Sequence, residues 1–170
     1  MIETPPDFYQ VTEHARLLLD TNFFIDALNH AEEFQDFETR LKARGVTFVT
    51  IEPVLIEFLK GASNTQEIKK RKDIIENLID AYLPVNKEIF RHIQVLISRY
   101  GQEGKEVSLT DFLLGGALMK YTKGTFLVTR DIRDFPTNIF TRATYFYVAQ
   151  RRSIQFYGLY QYPRGLSNPQ

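Results

Sequence analysis

Residues 16–30 read RLLLDTNFFIDALNH. The apolar run 16–19 has the length of a buried strand and stops at Asp20, and the segment after it sets Phe23, Phe24, Ala27 and Leu28 on one helical face. Strand, acidic turn and helix in succession open an α/β fold, whose ligands gather outside the carboxyl ends of the strands. A second strand-to-acid junction lies near the other end of the chain. There, TFLVT at 125–129 is strand-like and runs into the turn RDIRD, which carries Asp131 and Asp134. Asp20 and Asp131 are both expected at such strand ends.

The intervening sequence alternates in the same way. A charged segment at 32–44, with Phe34, Phe37 and Leu41 at helical spacing, ends at Gly45 and gives way to the β-branched strand VTFVTI at 46–51. Pro53 suits the first turn of a helix bearing Val54, Leu55, Glu57, Phe58 and Leu59, with a stop near Gly61. Helical spacing returns at 65–81, where Lys69, Lys70, Arg71 and Lys72 read as a solvated face, and at 87–100. YLPV at 82–85 reads as a short edge strand, 101–107 as a loop, 108–121 as a helix capped by Ser108, and ATYFYVA at 143–149 as the last strand. The expected architecture is a central, mainly parallel β-sheet with helices on both faces. It occupies 16–150, with an N-terminal arm at 1–15 and an aromatic tail at 151–170.

Composition limits the chemistry. Lys plus Arg and Asp plus Glu both number 21, so the net charge is zero and any nucleic-acid contact must come from local basic patches. Cysteine is absent and His14, His30 and His92 lie far apart, which leaves oxygen ligands and favours Mg²⁺ or Mn²⁺ for any metal site. The N-terminal stretch carries acids and prolines in place of a basic start and an apolar core, and no apolar run approaches the length of a membrane span. A soluble, cytoplasmic protein is the expectation.

Asp20, Glu57, Asp111 and Asp131 are candidates for one acidic cleft, with Asp134 as a further acid of the last turn. Two unit charges 4 Å apart repel by about 4 kcal/mol at an effective dielectric near 20, a conflict that a divalent cation removes. Thr21, Asn22 and Thr129 stand beside these acids and are suited to orient a carboxylate or a bound water. Each acid also has a plainer role open to it. Asp20 suits a helix cap, Glu57 a solvated helix face, and Asp131 and Asp134 a turn. Asp111 stands three residues after Ser108, in capping-box spacing. Arg130, Arg133, Arg151 and Arg152 are candidates for phosphate contact or simply solvated turn residues. The tail aromatics Phe156, Tyr157, Tyr160 and Tyr162 either stack on bases or pack on the domain or a second subunit, and packing is the expectation.

Taken together, LLLDTNFFIDAL, the helix with Glu57, SLTDFLLGGALMKY and FLVTRDIRDFP resemble the PIN domain, and within it the VapC-like toxin ribonucleases of toxin–antitoxin pairs. The resemblance implies Asp20, Glu57, Asp111 and Asp131 as catalytic acids, and Asp20, Asp111, Asp131 and Asp134 as metal ligands. It also implies RNA cleavage with Mg²⁺ or Mn²⁺, a homodimer, and neutralisation by a small antitoxin. A PIN-fold protein that binds RNA or a partner without cutting is the alternative. A phosphatase of the haloacid dehalogenase type would want a second Asp two residues after Asp20, where Asn22 stands, and a receiver domain would want a lysine after a later strand, which is not found.

Overall fold

The structure, a computed structural model, describes residues 1–101, 106–149 and 153–163. Its elements in chain order are β1 (Ile2–Glu3), α1 (Phe8–Val11), β2 (Arg16–Leu19), α2 (Thr21–Asn29), α3 (Ala31–Lys42), β3 (Thr47–Thr50), α4 (Glu52–Lys60), α5 (Thr65–Leu78), β4 (Ala81–Tyr82), α6 (Lys87–Gly101), α7 (Leu109–Lys120), β5 (Thr125–Thr129), β6 (Thr141–Ala149) and β7 (Ile154–Gln161). They build one seven-stranded sheet in the order β1-β6-β7-β5-β2-β3-β4. The expected parallel α/β arrangement is the half β5-β2-β3-β4, and β7, β6 and β1 extend it antiparallel beyond β5. Every residue of β5 is buried, which requires cover on both faces, and α2 and α7 both contact it.

The aromatic segment expected to trail behind the last strand is itself a strand. β7 lies between β5 and β6, with Leu159 opposite Val128 on one side and Tyr157 opposite Phe146 on the other. Tyr157, Leu159 and Tyr160 are fully buried, so these side chains pack into the domain. The N-terminal segment is likewise part of the fold: Ile2 pairs with Val148, and Phe8 is fully buried against Phe37 and Phe146. An aromatic chain runs from Phe37 to Phe146 (4.9 Å between ring centres), to Tyr157 (4.7 Å, nearly parallel) and to Phe23 (6.0 Å). It joins α3, β6, β7 and α2 in one core.

On the other side of the sheet α6 and α7 pair closely. Gly115 and Gly116 permit this, because a Cβ on either would meet Leu96 at 2.9 Å or Ile89 at 3.0 Å. Arg71 corrects the reading of the basic run on α5. Lys69, Lys70 and Lys72 are exposed, but Arg71 is buried: its guanidinium donates to the carbonyls of Phe58 and Gly61 (2.9 Å) at the end of α4, pairs with Glu67 at 2.5 Å and lies over the Phe58 ring. Among the described residues no helix is long and apolar enough to cross a membrane.

Because β7 is interior to the sheet, deletion of residues 153–170 should abolish the cooperative thermal transition. Tyr157→Ala should cost about 3–5 kcal/mol by leaving an aromatic-sized cavity, whereas substitution of exposed Ile154 by Ser should change stability by less than about 0.5 kcal/mol. Denaturant unfolding followed by circular dichroism checks all three, and parental stability of the truncated chain would refute the placement of β7.

Candidate active site

The register between β2 and β5 creates the site. Leu19 is the partner of Val128, so Asp20, the first residue past β2, stands beside Thr129, the last of β5. The Thr129 hydroxyl donates to Asp20 Oδ2 at 2.7 Å and accepts the backbone N–H of Asp131 at 3.0 Å, which ties the two strand-end acids to one buried hydroxyl. Asp20 also caps α2: its Oδ1 accepts the Thr21 N–H at 2.6 Å. The capping and acidic-site readings of Asp20 are therefore compatible. With 4% of its surface exposed, Asp20 has its pKa raised by burial, against the lowering effect of bonds from Thr129, the Thr21 N–H and Asn22, and the Glu57 charge raises it further.

Asn22 is held from both ends. Its Nδ2 donates to Asp20 Oδ2 at 3.1 Å, while its Oδ1 accepts from Arg130 Nη2 at 3.0 Å. Arg130 Nη1 in turn lies 3.1 Å from Asp26 Oδ2, and the Tyr157 hydroxyl reaches the same carboxylate oxygen at 2.5 Å. Arg130, expected as a weak phosphate contact, is thus committed to Asp26 and Asn22. Asp26, 2% exposed, had drawn no functional reading from the sequence. Its signal was there in FFIDAL, since a carboxylate between apolar positions of a core-facing helix must be paired. Tyr157 gave no comparable signal, because its partner lies 131 residues away.

The remaining acids come from α4, from α7 and from the same turn as Asp131. Glu57 is exposed on α4 and accepts the Thr21 hydroxyl at 3.0 Å. Asp111, at the start of α7, accepts the Ser108 hydroxyl at 2.5 Å while its N–H donates to Ser108 Oγ at 3.1 Å. Burial raises its carboxyl to about 6, against the lowering Ser108 bond and with the charges of Asp20, Asp131 and Glu57 adding to the rise. Burial also raises Asp134 to about 6, reinforced by Asp131 and Asp111 and opposed by Arg133. Four segments thus deliver acids into one electrostatic neighbourhood. A depression of about 400 Å³ lined by Asn22, Arg130, Asp131, Ile132 and Arg133 opens beside it. The larger depression of about 650 Å³ lined by Tyr9, His14 and Arg44 lies near the N-terminal ends of β2 and β3, away from these acids.

The donor chemistry suits a hard divalent cation, since all the candidates are carboxylate oxygens and burial raises the pKa of three of them, Asp20, Asp111 and Asp134. Among the described residues no three acid or histidine side chains are already gathered around a single metal position. Direct ligation by Asp20, Asp111, Asp131 and Asp134 would therefore require side-chain adjustment. Arg133 is exposed and lines the depression, whereas Arg151 and Arg152 lie outside the described residues.

No curated protein sequence matches the chain. Among solved structures it resembles the crystal structure of VapBC2 from Rickettsia felis bound to a DNA fragment from their promoter. That likeness has a TM-score of 0.59 at 20% identity and covers 71% of this chain and 90% of the other. It also resembles DNA-bound VapBC from Salmonella typhimurium, with a TM-score of 0.57 at 18% identity and the same 71% and 90% coverage. At such identities these likenesses speak to the fold. The family described as PIN domain matches residues 17–137, a span that contains all five candidate acids, and the chain belongs to that family.

Proposed function

We propose that this PIN-domain protein is a Mg²⁺- or Mn²⁺-dependent endoribonuclease and the toxin of a toxin–antitoxin pair. The observation that carries the reading is the Thr129 hydroxyl, which holds the Asp20 carboxylate and the Asp131 backbone together at the strand ends, with Glu57 bonded to the neighbouring Thr21. Asp20, Asp111, Asp131 and Asp134 would hold the cation. When bound, it supplies Lewis-acid charge to a phosphodiester and makes water a better nucleophile at neutral pH.

The protein's own groups set the geometry of the reaction. Thr129 holds Asp20 and the Asp131 backbone in one frame, and Asn22, fixed by Arg130, keeps the second Asp20 oxygen directed. Glu57 stands at the rim, bonded to Thr21, where it can accept a proton from an attacking water. Asp111 and Asp134, raised to about 6 without a cation, would be held ionised by a bound one. Arg133 offers an exposed cation for the RNA backbone. The fold-level likeness to VapBC complexes supports a small antitoxin as partner; a homodimer follows from the family resemblance alone, and a cytoplasmic location from the sequence composition. The ungathered arrangement of the acids keeps a second reading in view, a PIN-fold protein that binds RNA or a partner without cutting.

Cleavage assays separate the two. The purified protein should cut unstructured RNA in Mn²⁺ or Mg²⁺ and stop in EDTA. Asp20→Asn and Asp131→Asn should each lower the rate by orders of magnitude with an unchanged circular dichroism spectrum. Undiminished cleavage in excess chelator would refute the metal mechanism, and parental rates in both variants would refute the site.

Stability should also depend on pH in a defined direction. The folded-state values of Asp111 and Asp134, about 6 against an ordinary 3.8, mean that the folded protein binds these protons more tightly than the unfolded chain. Their contribution favours folding most at pH below the ordinary carboxylate value, and it is lost as pH rises through about 6. Calorimetry of the metal-free protein between about pH 4 and pH 7.5 should show this loss, smaller in Asp111→Asn. Mn²⁺ should raise the melting temperature clearly at about pH 7.5 and little at about pH 5, where protons compete for the same oxygens. An equal metal-induced rise at both pH values would contradict the account.

A further inference from the structure

The antiparallel half of the sheet carries an aromatic strip that the acidic site does not use. On β6, Tyr145 and Tyr147 alternate with the buried Thr144, Phe146 and Val148, so they project from the opposite face. Cross-strand pairing sets Phe156 of β7 opposite Tyr147 and therefore on the same face. All three rings are partly exposed, unlike their core-facing neighbours Phe146 and Tyr157. Tyr145 stacks on Phe156 at 5.4 Å between ring centres, Tyr147 meets the two at 5.3 and 5.4 Å, and the Arg142 guanidinium lies 5.3 Å from the Phe156 ring centre.

The strand register places this strip beside the acids. Thr129, which joins Asp20 to Asp131, is the partner of Gly158, and Gly158 is the partner of Tyr145. The end of β6 and the start of β7 thus lie at the same sheet end as the acids, with Tyr145 two strands, about 10 Å, from Thr129. The strip also shares its face with α7, the helix that Asp111 opens. Tyr160 follows Phe156 and Gly158 on that side, with its ring 6.1 Å from Phe135, and Phe135 packs at Gly115 of α7. The Tyr160 ring covers Gly158, where a Cβ would meet it at 2.4 Å. Tyr160 therefore packs between the strip and the residues that cover α7.

We propose that Tyr145, Tyr147 and Phe156, with Arg142, form a platform on which unpaired bases of a single-stranded RNA stack next to the acidic site. Rings from neighbouring strands of one sheet face suit any base, because every base has a π-face, and a cation among the rings suits the phosphates between them. An apolar protein partner would instead strip the Arg142 charge of water without an opposing charge. The proposal rests on the RNA-cleavage reading above. It adds a binding surface from β6 and β7, which lie outside the matched span 17–137.

The test uses full-length protein carrying Asp20→Asn, in EDTA, and the anisotropy of a labelled unstructured oligoribonucleotide of about ten nucleotides. Phe156→Leu and Tyr145→Leu should each weaken binding about tenfold, the size expected for one lost base stack. Phe156→Trp should restore it, with sedimentation and melting temperature unchanged throughout. Arg142→Gln, which leaves the rings in place, should weaken binding and flatten its salt dependence, so the proposal stays testable if a leucine variant folds poorly. If the protein with Asp20 intact cleaves RNA but these substitutions leave binding unaltered, the platform is wrong while the acidic site stands. Loss of self-association with unchanged RNA affinity would assign the strip to a second copy of the chain and overturn the proposal. Failure of the protein to bind or cleave RNA at all would overturn both readings.

Discussion

The carboxylate of Asp20 is the constraint around which the rest is arranged. Taking an ionised carboxylate out of water costs several kcal/mol, and at 4% exposure Asp20 must recover that from fixed donors. Two of its three donors, the Thr21 N–H and Asn22, open α2, and the third, Thr129, ends β5 109 residues away. Hydrogen bonds to a charged group contribute about 1.5–3 kcal/mol each, enough to offset the burial only if all are made. The parallel register of β2 and β5 makes the Thr129 bond possible, so sheet topology and site chemistry are the same requirement.

That requirement propagates outward. Asn22 can serve Asp20 because Arg130 holds its other end, Arg130 is charge-balanced by Asp26, and Asp26 is capped by the Tyr157 hydroxyl from β7. A strand beyond the matched PIN span thereby closes the network behind the acids. The Tyr157 ring also stacks on Phe146 in the core, so one residue packs the antiparallel half of the sheet and steadies the site. Preorganisation of this kind fixes Asp20 before any ligand arrives, whereas the other acids would still have to move to share a cation.

How much of this the sequence displayed follows from the range of each interaction. The strand at 125–129 is legible to the residue because a β-branched and apolar run buried on both faces ends at a charged turn. The helices α2 to α6 follow their 3.6-residue spacing, α7 is buried through most of its second half and is marked by its Ser108 cap, and Gly45 marks a boundary by its positive φ. β7 was illegible for the opposite reason. IQFYGLYQ has strand composition, but it is central because it pairs with β5 and β6 through long-range contacts that no local pattern encodes. β1 and α1 are too short for periodicity to register. Arg71 looked like one cation in a solvated run, and only the approach of the end of α4 makes it a buried clasp. The candidate acids were visible as residues at strand ends and helix starts; their partners Asp26 and Tyr157 became visible only once the helix and strand were brought together.

The central claim is that acids from separate segments form one cation site. The most direct measurement is an anomalous difference map from a crystal of the protein grown with Mn²⁺. The account predicts a peak within ligating distance of Asp20 and of at least two among Asp111, Asp131 and Asp134. A map with no peak there, or with Mn²⁺ bound only elsewhere on the surface, would contradict it.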